Sequence, residues 1–439
     1  DEIALLAVPE SVASLRHKPQ DERTAAQQDK LRAWFLEHAA PEPLRKLADD
    51  LETARAARLK LWGSLPTTMV MEETASPRPT HIRIRGVYHQ HGPEVQPGVP
   101  AVFPRLSTSV TDDKASVNDD KVSVNDDKVD APSNRLAFAR WLVSGEHPLT
   151  ARVAVNRYWQ KYFGVGLVKT AEDFGVQGEP PSHPELLDWL AGQFVRSGWN
   201  IKAMQRLIVT SAAYRQSSRL TPELLERDPE NRLLARGPRS RLPAHTLRDQ
   251  ALFVSGLLVE QLGGPSVSPY QPPRLWEELS NMSYKQSQGA DLYRRSLYTI
   301  WKRTVVPPSM AVLDAADRES CSVRPKRTNT PLQALTLLNE TAFVESARKL
   351  GERMMQEGGD DPVTFAFRLV AAREPKPAGW KLRGAARTEY LDEFRGDVAA
   401  ARKLIAVGES KVPDGFDPVE LAANTVLANV LLNLDEVLC

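Results

Sequence analysis

The chain predicts a mainly α, multi-helix globular protein with a small β-ribbon insertion near residues 65–106. Three observations carry that prediction. Apolar residues recur at helical spacing over most of the length, as in Leu186, Leu187, Leu190 and Phe194. Helix starts are signalled repeatedly, most sharply where Thr330 can cap, Pro331 opens the first turn and Gln333 can return a bond to the cap. The alternation a strand needs is confined to Thr67–Met71 and Thr80–Arg85.

At 439 residues the chain is long for one hydrophobic core, and its 41% apolar and 26% charged residues are ordinary for a globular protein. The net charge of +1 conceals an asymmetry: residues 131–350 hold 29 Lys and Arg against 20 Asp and Glu. A basic surface of that kind suits phosphate, carboxylate or acidic polysaccharide. It lacks the basic stripe with interleaved aromatics that nucleic acid needs, so no nucleic-acid partner is expected. The longest apolar run, Ala251–Val259, falls far short of the ~20 residues that span a bilayer, so no membrane span is expected. Two cysteines, Cys321 and Cys439, exclude a disulfide-rich scaffold, a CxxC zinc site and a CxxCH haem attachment within these residues. The chain begins at Asp1 with no signal segment, which suggests a piece of a longer or processed protein.

Residues 1–64 read as a helical hairpin or linker, with Leu31, Trp34, Phe35 and His38 on one face and Leu44, Leu47 and Leu51 in step on the next helix. Residues 65–109 form a small β or extended segment. His81, His89 and His91 there have permissible metal-ligand spacing but no Cys or carboxylate partner, so no metal site is assigned. Residues 110–131 hold a seven-residue repeat (Val-Asn-Asp-Asp-Lys-Val-Ser and its variants) too polar to build a core, and read as a flexible insertion.

The main helical domain is expected at 132–357 and a C-terminal helical subdomain at 358–439, with the Gly358–Asp361 stretch as the boundary. Within the main domain, Thr150–Phe163 buries Val155 and Trp159, a capping box at Ser182 and Glu185 opens the next helix, and a helix runs from Ala244 to Leu262. Leu332, Leu335, Leu338 and Ala342 mark a core face on the helix after Thr330. Cys321 reads as a buried packing residue. Two long polar loops interrupt the helices. One, Lys169–Glu185, holds Glu172, Asp173, Glu179 and His183; the other, Asp314–Asn329, holds Asp317, Arg318, Glu319, Arg324 and Arg327.

Several strings together resemble a known family: Asn134–Leu142, His147–Trp159, Glu172–Asp188 and Arg324–Asn339. They are similar to the planctomycete-specific C-terminal domain of unknown function, which usually lies downstream of a planctomycete-type cytochrome c domain. The similarity runs from about Pro66 to Glu436. It implies an exported protein, periplasmic or at the cell surface, whose partners are a haem c domain of the same protein and a polysaccharide or other glycan. It implies no cofactor in this chain, any haem c belonging to an N-terminal domain outside it. The seven-residue repeat departs from the family, which has a short Pro-rich linker there.

Two functions fit. The first is a non-catalytic module that holds polysaccharide or docks the haem domain, with Asp317, Arg318, Glu319 and Arg327 as a salt-bridge lattice. The alternative is a carbohydrate-active or sugar-oxidising enzyme passing electrons to the haem. In that case Asp173, Glu179, His183 and Asp314 are the acid–base candidates, and Arg318, Glu319, Arg324, Arg327 and Asn329 bind substrate. Trp159 or Trp276 would then stack on sugar. The absence of a nucleophile elbow, a phosphate loop and an HExxH pattern weighs against the common hydrolases, kinases and zinc enzymes.

Overall fold

The computed structural model describes residues 8–72, 74, 78–106, 134–279, 282–302, 304–324 and 326–439, with backbone only at 278–279 and 377–383. The seven-residue repeat lies outside the described residues. The protein is mainly α, with one two-stranded antiparallel sheet among the described residues. No described helix is long and apolar enough to cross a membrane. The chain divides into two compact units, 1–97 and 98–439.

In the first unit, α1 (Val12–His17), α2 (Ala25–His38) and α3 (Glu42–Ser64) precede a hairpin. Thr24 and Gln27 close a capping box at the start of α2. Strand β1 (Thr80–Arg83) pairs with β2 (His91–Val95), Thr80 opposite Val95 and Arg83 opposite His91. The expected strand at Thr67–Met71 is irregular instead, with Met69 fully exposed. Strand propensity without a partner edge to bond does not make a strand. The rings of His81 and His91 stack with centroids 4.9 Å apart. Slight desolvation, then Arg83 and His81, push His91 below the usual histidine range. Among the described residues no group of three His, Cys, Asp or Glu is placed to hold a metal.

The second unit opens with α4 (Arg135–Leu142), α5 (Thr150–Phe163), α6 (Pro184–Arg196) and α7 (Ile201–Val209). Helices α5 to α7 close over Val155, Trp159, Leu187, Leu190, Phe194, Met204 and Ile208. Helix α6 begins on His183 without a side-chain cap, not on the expected Ser182 box. The Ser182 N–H is drawn away to the Leu167 carbonyl (2.9 Å).

Next come α8 (Pro222–Arg227), α9 (Ala244–Ser255), α10 (Leu275–Leu279), α11 (Pro308–Val312) and α12 (Pro331–Asn339). Helix α9 ends at Gly256 (φ +80°), short of the expected Leu262, because only glycine enters the left-handed region there without strain. The leucine face of α12 also differs from expectation. Leu332, Leu335 and Leu338 are exposed, while Gln333 and Leu337 are buried. The cause lies at the helix start: the Gln333 amide donates inward to the Val312 carbonyl (2.9 Å), Thr328 Oγ1 (2.8 Å) and Asp314 Oδ2 (3.2 Å), which fixes the rotation of the helix.

The chain closes with α13 (Thr341–Glu357), α14 (Pro362–Ala371), α15 (Pro377–Gly396), α16 (Val398–Ile405), α17 (Pro418–Leu432) and α18 (Asp435–Leu438). Leu350 and Met354 of α13, Phe367 of α14 and Leu427 and Leu431 of α17 share one core, so Gly358–Asp361 is a turn inside a continuous packing unit. Beside that core lies a buried polar network. Glu345 accepts from the Tyr270 and Tyr293 hydroxyls (2.8 and 2.9 Å) and from the Ser410 N–H and hydroxyl (2.7 and 2.6 Å). Arg348 links Glu345 to Glu352, and Lys349 reaches Glu352 from outside.

Candidate functional site

The two polar loops of the second unit meet. The first runs from the end of α5 to α6 and is moulded from below by buried polar groups. Asn156 exchanges bonds with the backbone of Val168 (3.0 and 2.9 Å), and Arg232 donates to the carbonyls of Gly166 and Leu167 (2.6 and 2.9 Å). The second loop joins α11 to α12 and is organised on Asp314, which takes a positive φ of 62°. Its carboxylate accepts from the Thr328 N–H (2.7 Å), the Thr328 hydroxyl (2.9 Å) and the Arg241 guanidinium (2.5 Å). Burial acts to raise the Asp314 carboxyl, but these bonds together outweigh it and hold it below the usual carboxylate range.

A bidentate pair ties one loop to the other: Arg324 grips both carboxylate oxygens of Glu172, with Nε 2.8 Å from Oε2. The remaining sequence-derived residues fall into two groups. Asp173 folds back on its own loop, accepting from the Gly175 N–H (2.7 Å), and the Asp317 carboxylate accepts from the Glu319 N–H (3.0 Å). His183 lies beside the Ser182 hydroxyl (3.0 Å) at the start of α6. The carboxylates of Glu179 and Glu319, the Asn329 amide and the guanidiniums of Arg318 and Arg327 make no hydrogen bond or ion pair among the described residues.

Three expectations need correction. Trp159 is 4% exposed and stacked on Phe163 at 4.0 Å inside the α5–α7 core, so it offers no face to a sugar. Trp276 is 6% exposed, edge-on to Tyr284 with the Lys302 ammonium 4.7 Å from its ring centre, and is likewise interior. Cys321 is exposed, because the loop around it is held by polar bonds with no apolar layer beneath. The lattice expected of Asp317, Arg318, Glu319 and Arg327 is replaced by Asp314–Arg241 and Glu172–Arg324.

Sequence reasoning missed several residues at this place. Arg327 packs against the end of α5, its Nη1 3.1 Å from where a Cβ on Gly164 would stand, with Ser240 alongside. Arg318, also at positive φ (65°), lays its guanidinium 4.2 Å from the ring centre of Trp301, whose indole N–H donates to the Asp317 carbonyl (3.0 Å). His245, in the first turn of α9, is half-buried. Desolvation pushes its imidazole below the usual range, Asp249 opposes, and the charges of Lys161 and Arg318 add to the lowering. Lys161, Arg241, His245 and Trp301 thus join the sequence-derived arginines. The only available signal was the Arg-rich stretch ending at Arg241, and two of its members, Arg232 and Arg236, are structural clamps on backbone carbonyls. A separate groove of about 490 Å³ opens over the 357–369 turn and is lined by none of the sequence-derived candidates.

A family model described as PSD1: Protein of unknown function (DUF1553) matches residues 134–384, more than half of the chain. No curated protein and no solved structure matches. All four strings that carry the sequence resemblance fall inside the matched segment, which is narrower than the 66–436 span expected from them. Both polar loops and every candidate residue above lie between its limits, and the chain belongs to this PSD1 family.

Proposed function

We propose that this chain is a non-catalytic polysaccharide-binding module of an exported planctomycete protein, working in the periplasm or at the cell surface beside a haem c domain of the same protein. One observation carries the reading. The carboxylates at the junction of the two loops, Glu172, Asp173 and Asp314, are engaged in holding the loops, whereas Arg318 and Arg327 remain without acid partners. A general acid or base needs a titrating group near the working pH, and Asp314 is held well to the acid side of it. Binding through cations asks nothing of those carboxylates beyond their positions.

The experiment is a glycan array combined with reducing-sugar and dye-reduction assays on the chain, with Asp173→Asn and Asp314→Asn alongside. Glycan binding without product release supports the module. Turnover abolished by either substitution in a folded variant overturns it in favour of the carbohydrate-active or sugar-oxidising alternative. That alternative keeps one observation: Glu179 stands exposed, its N–H held by Thr170 (2.9 Å) and its carboxylate unpartnered among the described residues.

A further inference from the structure

We infer that Lys161, His245, Arg318 and Arg327 form a binding site for a single oxyanion, the carboxylate, sulfate or phosphate group of a ligand. The inference deepens the polysaccharide reading by naming the chemistry of the group bound, and its site can be tested apart from that reading.

The argument begins with where each positive charge goes. Arg241 spends its charge on Asp314 (2.5 Å) and Arg324 spends its own on Glu172. Arg327 lies next to Arg241, packed on Gly164 and Ser240, with no acid in reach. Partial desolvation, then the adjacent Arg241 guanidinium, lower it from the usual arginine value. A guanidinium shielded from water beside a second guanidinium is unfavourable until an anion arrives.

Arg318 repeats the pattern from the other side. Its guanidinium is oriented by Trp301 rather than by a carboxylate, and the left-handed backbone at Arg318 sets its direction. Lys161 and Gly164 lie about one turn apart at the end of α5, so the contact of Arg327 with Gly164 brings it to the Lys161 end of that helix. His245 feels both Lys161 and Arg318, which places it between them. It sits in the first turn of the 12-residue α9, whose start carries no side-chain cap. Three segments far apart in sequence thus direct cations to one place while the neighbouring acids are already occupied. A planar guanidinium fork with an ammonium and an imidazole suits an oxyanion, which accepts several hydrogen bonds at once.

Calorimetric titration of the whole chain with sodium sulfate and sodium phosphate probes the site itself. Oligogalacturonate, dextran sulfate and neutral dextran then distinguish carboxylate, sulfate ester and uncharged sugar. The inference expects saturable binding of at least one anionic probe, none of dextran, and affinity falling about tenfold or more in Arg327→Gln. Arg327→Lys should recover part of the loss, and thermal melting should show that each variant is folded. No saturable binding of any anion, or binding unchanged in a folded Arg318→Gln, Arg327→Gln double variant, overturns the inference. Sulfate binding without glycan binding leaves the site standing and sinks the polysaccharide reading. Glycan binding untouched by the double variant does the reverse.

Discussion

Two regions of the second unit are built from the same residue types and use them in opposite ways. Around Glu345, every carboxylate is buried and answered by tyrosine hydroxyls, a serine, an arginine or a lysine. At the junction of the two loops, the acids are answered but Arg318 and Arg327 are left over. Density of charge therefore does not separate scaffold from site in this protein; the balance of pairing does. A closed network fixes geometry, and an open one leaves charge for something outside the chain.

The largest expected effect lies in the closed network. Glu345→Ala removes the shared acceptor and leaves Arg348 facing Glu352 alone, so urea unfolding should show a loss of about 3–5 kcal/mol. A loss under about 1 kcal/mol would break the contrast, because the network would then be ornamental. Asp314→Ala should cost about 2–3 kcal/mol, since the Arg241 guanidinium loses its carboxylate in a mostly buried position. Its acid dependence has a defined sign: the folded-state value is depressed, so this stabilisation is present at neutral pH and is lost as pH falls through that value.

Glu340 shows the opposite sign. Burial pushes its carboxyl up to about 6 from an ordinary 4.5, against the opposing pull of Arg248 and the Ala342 N–H. Its contribution to stability is full below about pH 4.5 and falls by up to about 2 kcal/mol as pH rises through 6. Chemical denaturation between pH 4 and 8 should show that component vanish in Glu340→Gln; an unchanged profile would mean the carboxyl titrates normally. Arg324→Ala breaks an exposed pair and should cost within about 1 kcal/mol, measured by thermal melting, while loosening the grip of one loop on the other. The smallest stability effect belongs to Arg327→Gln, within about 0.5 kcal/mol, because no internal partner is lost. A large drop there would show that Arg327 is part of the scaffold.

The helical class was legible because caps and periodicity are local: Thr330 with Gln333, and Asp417 with the Glu420 N–H, stand where their residues suggest. What was not legible depended on contacts distant in sequence. Leucine spacing put the wrong face of α12 inward because nothing local reveals that the Gln333 amide bonds Val312 and Asp314. The strand at Thr67–Met71 failed for want of a partner edge. The two loops could be picked out by length and polarity, yet the junction also draws on Lys161, Arg241 and His245 from other helices and turns. Their meeting is a property of packing, which no single stretch displays.

The Glu345 network also bears on where the chain can be lengthened. Tyr270 and Tyr293 anchor the two ends of one excursion on the same carboxylate, so residues added between them would project outward as an independent ear. Pro272, Pro273 and Arg274 are exposed within that span and offer a place for a reporter peptide. The 408–410 turn has no such slack: a Cβ at Gly408 would stand 2.2 Å from the Glu345 carboxyl carbon, and Ser410 must reach that same group. One buried acid thus makes the first loop a permissive insertion point and the second a fixed length.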